Sequence, residues 1–174
     1  MTTELGITML LSLSKIIQTP DGVLPFETSL DLSDLCFGES RPAQEPVLAK
    51  GTVRNTAGVL VMKGEISTCI HGICDRCASA FDRQVEMPID VVLVTELANE
   101  ENEDEWVFPL EATAADLADI VRTVFVLNMD SKLLCKDDCK GLCCKCGKNL
   151  NDGPCGCQKE LDPRFAALKQ LLDK

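Results

Sequence analysis

The sequence has no tyrosine, one tryptophan and a single histidine, His71. General acid–base catalysis therefore has few candidates beyond carboxylates. Neither Gly-x-Gly-x-x-Gly nor Gly-x-Ser-x-Gly occurs. The stretch GLCCKCGKN fails as a phosphate-binding loop: five residues separate Gly141 from Gly147, Asn149 stands where Ser or Thr belongs, and no strand precedes it. An enzyme is not expected. No apolar run reaches membrane-spanning length. The opening MTTELGITMLLSLSKIIQTP lacks the features of a secretory signal, with Glu4 where basic residues belong and Ser12 and Ser14 interrupting the apolar run. A cytoplasmic protein is the expectation. Positive charge is also scarce, 17 Lys and Arg against 28 Asp and Glu, which gives a net charge of −11. Such a chain is repelled by nucleic acid on average, so any RNA contact needs a local basic patch. Part of the acid lies in NEENEDE (Asn99–Glu105), which reads as a solvated loop.

What remains is ordinary for a globular protein: 45% hydrophobic and 26% charged residues in a chain of 174. That length suits one buried domain and an appendage. From Gly22 to Leu97 the pattern is β. Leu24, Phe26, Thr28, Leu30 and Leu32 alternate, with Pro25 indicating an edge. VLAKGTVRNT and VLVMKGEIST flank Ala57-Gly58 as a hairpin would, and Val85, Met87, Ile89, Val91 and Leu93 alternate around Pro88, a second edge or bulge signal. WVFPL suggests a short strand. TAADLADIVRTVFVLN reads as a helix opened by Thr113 and Asp116 as a variant capping box, with Leu117, Ile120, Val121, Val124 and Phe125 on one face. Asp162 and Pro163 start a final helix with Phe165, Leu168, Leu171 and Leu172 as its stripe. The expected fold is α+β: a mostly antiparallel sheet with a covering helix over 1–130, the acidic loop included, then a cysteine-rich zinc-binding segment and helix over 131–174.

Seven of the 11 cysteines crowd into CKDDCKGLCCKCGKNLNDGPCGC, from Cys135 to Cys157. With almost no apolar residues, this stretch cannot fold by burial, and in a reducing compartment metal coordination is the expected substitute. Cys143-x2-Cys146, followed by Gly147, and Cys155-x-Cys157 supply four thiolates, as a structural zinc site requires. Cys135-x3-Cys139 and the distant Cys74-x2-Cys77 make a second set of four. Zn²⁺, one or two ions, is thus the expected cofactor; the spacings match neither common iron–sulfur pattern. Of the remaining cysteines, Cys36 and Cys69 are expected to be buried and Cys144 a spare thiol. His71 is expected at the surface, with replacement of a sulfur in the first site as the alternative. Lys132, Lys136, Lys140, Lys145 and Lys148 form the one locally basic surface, suited either to offsetting thiolate charge or to contacting RNA phosphates or an acidic partner.

Taken together, LPFETSLDLSDL, GTVRNTAGVLVMKGEI, CDRC, CKDDCKGLCCKCGKNLNDGPCGC and DPRFAALKQLL resemble the YceD-like family of bacterial large-subunit ribosomal RNA accumulation proteins. The resemblance covers nearly the whole chain from Met9. It implies a role in accumulation or processing of large-subunit rRNA and no catalytic activity. Cys74 and Cys77 match the family's C-x-R-C; Cys135, Cys139, Cys143 and Cys146 match its later block, and Cys155 and Cys157 its closing pair. Cys144 stands where the family is expected to carry proline, which leaves Cys143 and Cys144 both open as ligand. The function expected is that of a non-enzymatic ribosome-biogenesis factor contacting large-subunit rRNA or its precursor, basic ribosomal proteins, or both, and no membrane. The alternatives are a thiol-based redox protein using Cys143 and Cys146, or a zinc-dependent protein-interaction module.

Overall fold

Alternation of apolar and polar residues builds most of this protein. In a computed structural model of the chain, residues 9–38, 40–95 and 106–157 are described. The elements run β1 (Leu10–Ser12), α1 (Ser14–Ile17), β2 (Val23–Leu30), β3 (Val47–Thr56), β4 (Val59–Ile73), β5 (Ala80–Val94), β6 (Val107–Pro109), β7 (Ala114–Asp116) and α2 (Leu117–Asn128). The main sheet has the order β2-β3-β4-β5-β6, antiparallel through β5, with β6 added parallel to β5. β1 and β7 form a separate antiparallel pair. The fold is mostly sheet with few helices.

Side chains at every second strand position enter the core because a pleated strand turns them to opposite faces. Phe26, Thr28 and Leu30 of β2, Val53 of β3, Met62 and Ile66 of β4, and Met87, Ile89, Val91 and Leu93 of β5 are all buried. The β3–β4 hairpin closes through Ala57 and Gly58, both at positive φ (53° and 92°), a turn whose twist suits the flanking strands. Pro25 lies on an edge strand, as expected. Pro88 is also on an edge, because β6 covers only Val92–Val94 of β5.

α2 supplies the apolar cover. Leu117, Ile120, Val121, Val124 and Phe125 are buried, and Phe125 meets Phe37 edge-on with ring centroids 6.2 Å apart. Burying such side chains contributes about 1.5–3 kcal/mol each. The helix starts later than the sequence pattern indicates. Asp116 is its N-cap, accepting from the amides of Ala118 (2.9 Å) and Asp119 (3.4 Å). Thr113 lies outside the helix, where its hydroxyl meets that of Ser14, because Ala114–Asp116 are drawn into β7 by pairing with β1. A tertiary partner overrides the local capping pattern here.

Asn55, buried at 3% exposure, ties α1 to the hairpin. Its Nδ2 donates to the carbonyls of Ile16 (2.8 Å) and Ile17 (3.1 Å), and its Oδ1 accepts from Gly58 N–H. The expected final helix and the acidic run Asn99–Glu105 lie outside the described residues. Among the described residues, no helix is long and apolar enough to cross a membrane.

Candidate metal centres

The long β4–β5 hairpin ends in the turn CDRC, which carries Cys74 and Cys77. Cys74 N–H donates to the Ser79 carbonyl (2.9 Å) and Ala78 N–H to the Cys74 carbonyl (2.8 Å), folding both thiols inward; Ala78 takes positive φ to close the turn. The segment after α2 is sewn onto this turn. Asp75 N–H donates to the Leu133 carbonyl (2.8 Å), and Leu133 N–H returns to Asp75 Oδ2 (2.7 Å). Arg76 donates to the carbonyls of Asp137 and Cys139, both at 3.2 Å, while its own carbonyl accepts from Leu142 N–H. Gly141, at φ +72°, lies so close that a Cβ there would stand 3.0 Å from the Arg76 carbonyl oxygen.

These bonds bring Cys74, Cys77, Cys135 and Cys139 together with every Sγ within 4.8 Å of the others. Cys74 and Cys139 are 3.8 Å apart, Cys77 and Cys135 3.7 Å. A regular tetrahedron with Zn–S bonds of about 2.3 Å sets its sulfurs about 3.8 Å apart. Cys74, Cys77 and Cys139 are buried.

A second set, Cys143, Cys146, Cys155 and Cys157, meets the same 4.8 Å limit. Cys143 N–H donates to the Lys148 carbonyl (2.8 Å) and Gly147 N–H to the Cys143 carbonyl (2.9 Å), with Gly147 at φ +70°, so the turn needs the glycine. Lys148 Nζ reaches the Pro154 carbonyl, which holds the closing pair in place. This set lies nearer the solvent, with Cys146 and Cys157 exposed. Asn151 joins the two: its Oδ1 accepts from Lys140 N–H (2.9 Å), and its Nδ2 donates to Cys139 Sγ (3.3 Å). Asn149 accepts from Asn151 N–H and reaches Ser79 Oγ. The sequence reading assigned no role to either asparagine; the signal available was their position between cysteine pairs.

Electrostatics distinguishes the thiols within each set. Burial pushes the Cys74 thiol up, but the amides of Cys135, Cys77 and Arg76 outweigh it and bring it down to about 6. Cys135, desolvated and hydrogen-bonded to Cys74, is pushed up to about 12. In the second set the amides of Cys146 and Lys145 lower Cys143 to about 6, while Cys146 raises Cys157 to about 12. Four sulfurs this close cannot all ionise unaided, because each thiolate disfavours the next. A soft divalent cation at the centre would remove the conflict, and four thiols at this spacing fit zinc.

The structure separates the remaining candidates. Cys144 is exposed and outside the second set, whereas Cys143 is in it. His71 is in neither: its Nδ1 meets Asp82 (2.7 Å) and its Nε2 Glu45 (3.5 Å). The expectation that Cys36 and Cys69 are buried does not hold. Cys36 is exposed in the loop after β2, and Cys69 is half-buried, because it occupies an outward position between buried Thr68 and Ile70 of β4. Lys132, Lys136, Lys140, Lys145 and Lys148 are all exposed around the two sets.

Residues 62–172 match the family "Large ribosomal RNA subunit accumulation protein YceD". An Arabidopsis thaliana protein, "Large ribosomal RNA subunit accumulation protein YCED homolog 1, chloroplastic", is 26% identical over 162 residues, covering 76% of this chain and 50% of its own length. Uncharacterized proteins of Mycobacterium bovis and Mycobacterium tuberculosis are each 28% identical over 117 residues, covering 66% of this chain and 56% of theirs. The chain thus spans about half the length of the curated relatives it matches. No solved structure matches it.

Proposed function

Because the chain belongs to the YceD family of large ribosomal RNA subunit accumulation proteins, we propose that it is a non-enzymatic ribosome-biogenesis factor that promotes accumulation or processing of large-subunit rRNA. One observation carries this reading: the stretch that matches the family encloses both four-cysteine sets and all five lysines around them. In this reading Cys74, Cys77, Cys135 and Cys139 hold one zinc ion, and Cys143, Cys146, Cys155 and Cys157 hold another. Bound zinc supplies cross-links where apolar burial is missing. Each four-thiolate site carries about −2, so the lysines offset that charge first and present what remains to RNA phosphates. RNA contact is thereby confined to the cysteine-rich end of a chain whose charge elsewhere repels RNA. Basic ribosomal proteins are the other partner class of this reading, and the cytoplasm is its compartment.

The test is the ratio of large- to small-subunit rRNA in cells depleted of this protein and complemented with wild type or with Cys146→Ser. A fall in the ratio that wild type restores and Cys146→Ser does not is the expected outcome. An unchanged ratio on depletion rejects the reading.

A further inference from the structure

Among the described residues, much of one side of β5 is unpaired. Its register with β4 is continuous from Ala80 to Leu93, without a bulge, so the direction of each backbone group follows by alternation. Val92 N–H donates to the Trp106 carbonyl on the β6 side (2.9 Å), and the Val94 carbonyl accepts there from Leu110 N–H. Even-numbered residues of β5 therefore turn their amides and carbonyls away from β4. At Asp82, Gln84, Glu86 and Asp90 those groups have no backbone partner among the described residues. Pro88 fits the same parity: its missing N–H falls on the open side, where no ladder bond is lost.

The residues that offer these backbone groups also present their side chains on the exposed face of the sheet. Asp82 and Asp90 hold His71 and Lys63, and Glu86 has no ion-pair partner among the described residues. In the sequence the acidic run Asn99–Glu105 follows β5, separated from Val94 by four residues. An open edge invites a strand. A second copy of this edge would set carboxylate against carboxylate, which is destabilising across a strand pair, and RNA would meet the same repulsion. A strand rich in lysine and arginine would meet opposite charge instead.

We propose that the Asp82–Glu86 edge of β5 is a docking site for an extended, Lys/Arg-rich segment of a partner protein, which adds to the sheet as a strand. The site is distinct from the lysines of the cysteine-rich end and does not depend on the rRNA reading. The partner would pair with the backbone groups of Asp82, Gln84 and Glu86, and its cations would lie over the carboxylates.

The test uses the full chain and a labelled peptide of alternating lysine and valine, read by fluorescence anisotropy and by amide hydrogen exchange. In the free protein the Gln84 and Glu86 amides should exchange quickly and those of Val85 and Met87 slowly; peptide should slow the first pair. Gln84→Pro removes an outward N–H while sparing the β4 ladder, and Glu86→Lys reverses a charge. Each should weaken binding at least tenfold with the melting temperature nearly kept. The proposal is overturned if both variants bind the peptide as wild type does, or if the Gln84 and Glu86 amides are already protected in the free chain. It is also overturned if the edge is occupied by a second copy, seen as a dimer that Gln84→Pro dissociates, or by an RNA oligonucleotide that displaces the peptide.

Discussion

The sulfurs of Cys77 and Cys135 stand 3.7 Å apart although 58 positions separate them in the chain. The contact joins the tip of the β4–β5 hairpin to the segment that follows α2, so the inner cysteine set bridges the sheet and the cysteine-rich end. The outer set closes only a local loop. If zinc fills both, loss of the two ions should have unequal effects. Native mass spectrometry of protein purified without chelator should show two zinc ions, and Cys146→Ser and Cys74→Ser should each show one. Cys74→Ser should lower the melting temperature by at least about 10 °C, because buried sulfurs and a long-range link are lost together, while Cys146→Ser should lower it by less than half as much. Equal effects would contradict the division into a bridging and a local site.

The metal-free thiols should titrate far apart. Cys143 is held down to about 6, so it is the reactive thiolate of the outer set near neutral pH, whereas Cys157, pushed up to about 12, stays protonated. A thiol lowered by folding favours the folded state above its unfolded value, and that contribution is lost as pH falls through about 6. Alkylation of the chelated protein, followed residue by residue, should label Cys143 well before Cys157, with the Cys143 rate falling below about pH 6. Zinc should suppress both. Equal labelling of the two thiols would show that the turn holding the Cys146 and Lys145 amides on Cys143 does not persist once zinc is removed.

Much of this was legible in the sequence, and the failures share a cause. The strands around Phe26, Met62 and Ile89 follow from period-two burial, which is local information. The preferred grouping of Cys74 and Cys77 with Cys135 and Cys139 matches the set the fold brings together, although spacing and count alone leave other combinations of the four pairs open. What the sequence did not disclose depends on contacts between distant segments. Thr113 reads as a helix start only until β1 claims Ala114–Asp116. Cys69 reads as buried until its register on β4 places it on the outward face. Nothing in the sequence reading singles out Asn151, and its bond to Cys139 Sγ appears only once the outer loop folds back over the inner set.

Lysines at the cysteine-rich end can be tested one at a time. Lys132 and Lys140 are exposed, and in the proposed function they face phosphates. Replacing either with alanine should weaken binding of a large-subunit rRNA fragment regardless of its sequence, and should reduce the slope of log affinity against log salt by about 1. Electrophoretic shifts across a salt series read this directly. An unchanged slope in both variants would assign these lysines to balancing thiolate charge.

The sheet depends on a pair of glycines whose role is purely spatial. Gly51 on β3 faces Gly64 on β4. A Cβ on Gly51 would run into the Lys63 carbonyl oxygen and stand 2.6 Å from the Gly64 Cα. A Cβ on Gly64 would stand 3.0 Å from the Gly51 Cα. Two effects compete in Gly51→Ala. Restricting the unfolded chain favours the variant by about 0.5–1 kcal/mol, and forcing backbone apart at the centre of the sheet costs about 2–3 kcal/mol. The clash should win, lowering the melting temperature by roughly 3–8 °C. Gly156→Ala is the control, since a Cβ there meets nothing within 4 Å, and it should stay within about 0.5 kcal/mol of wild type. Thermal unfolding of both variants decides the matter: if Gly51→Ala melts with the control, the close approach of β3 and β4 is not what the glycines serve.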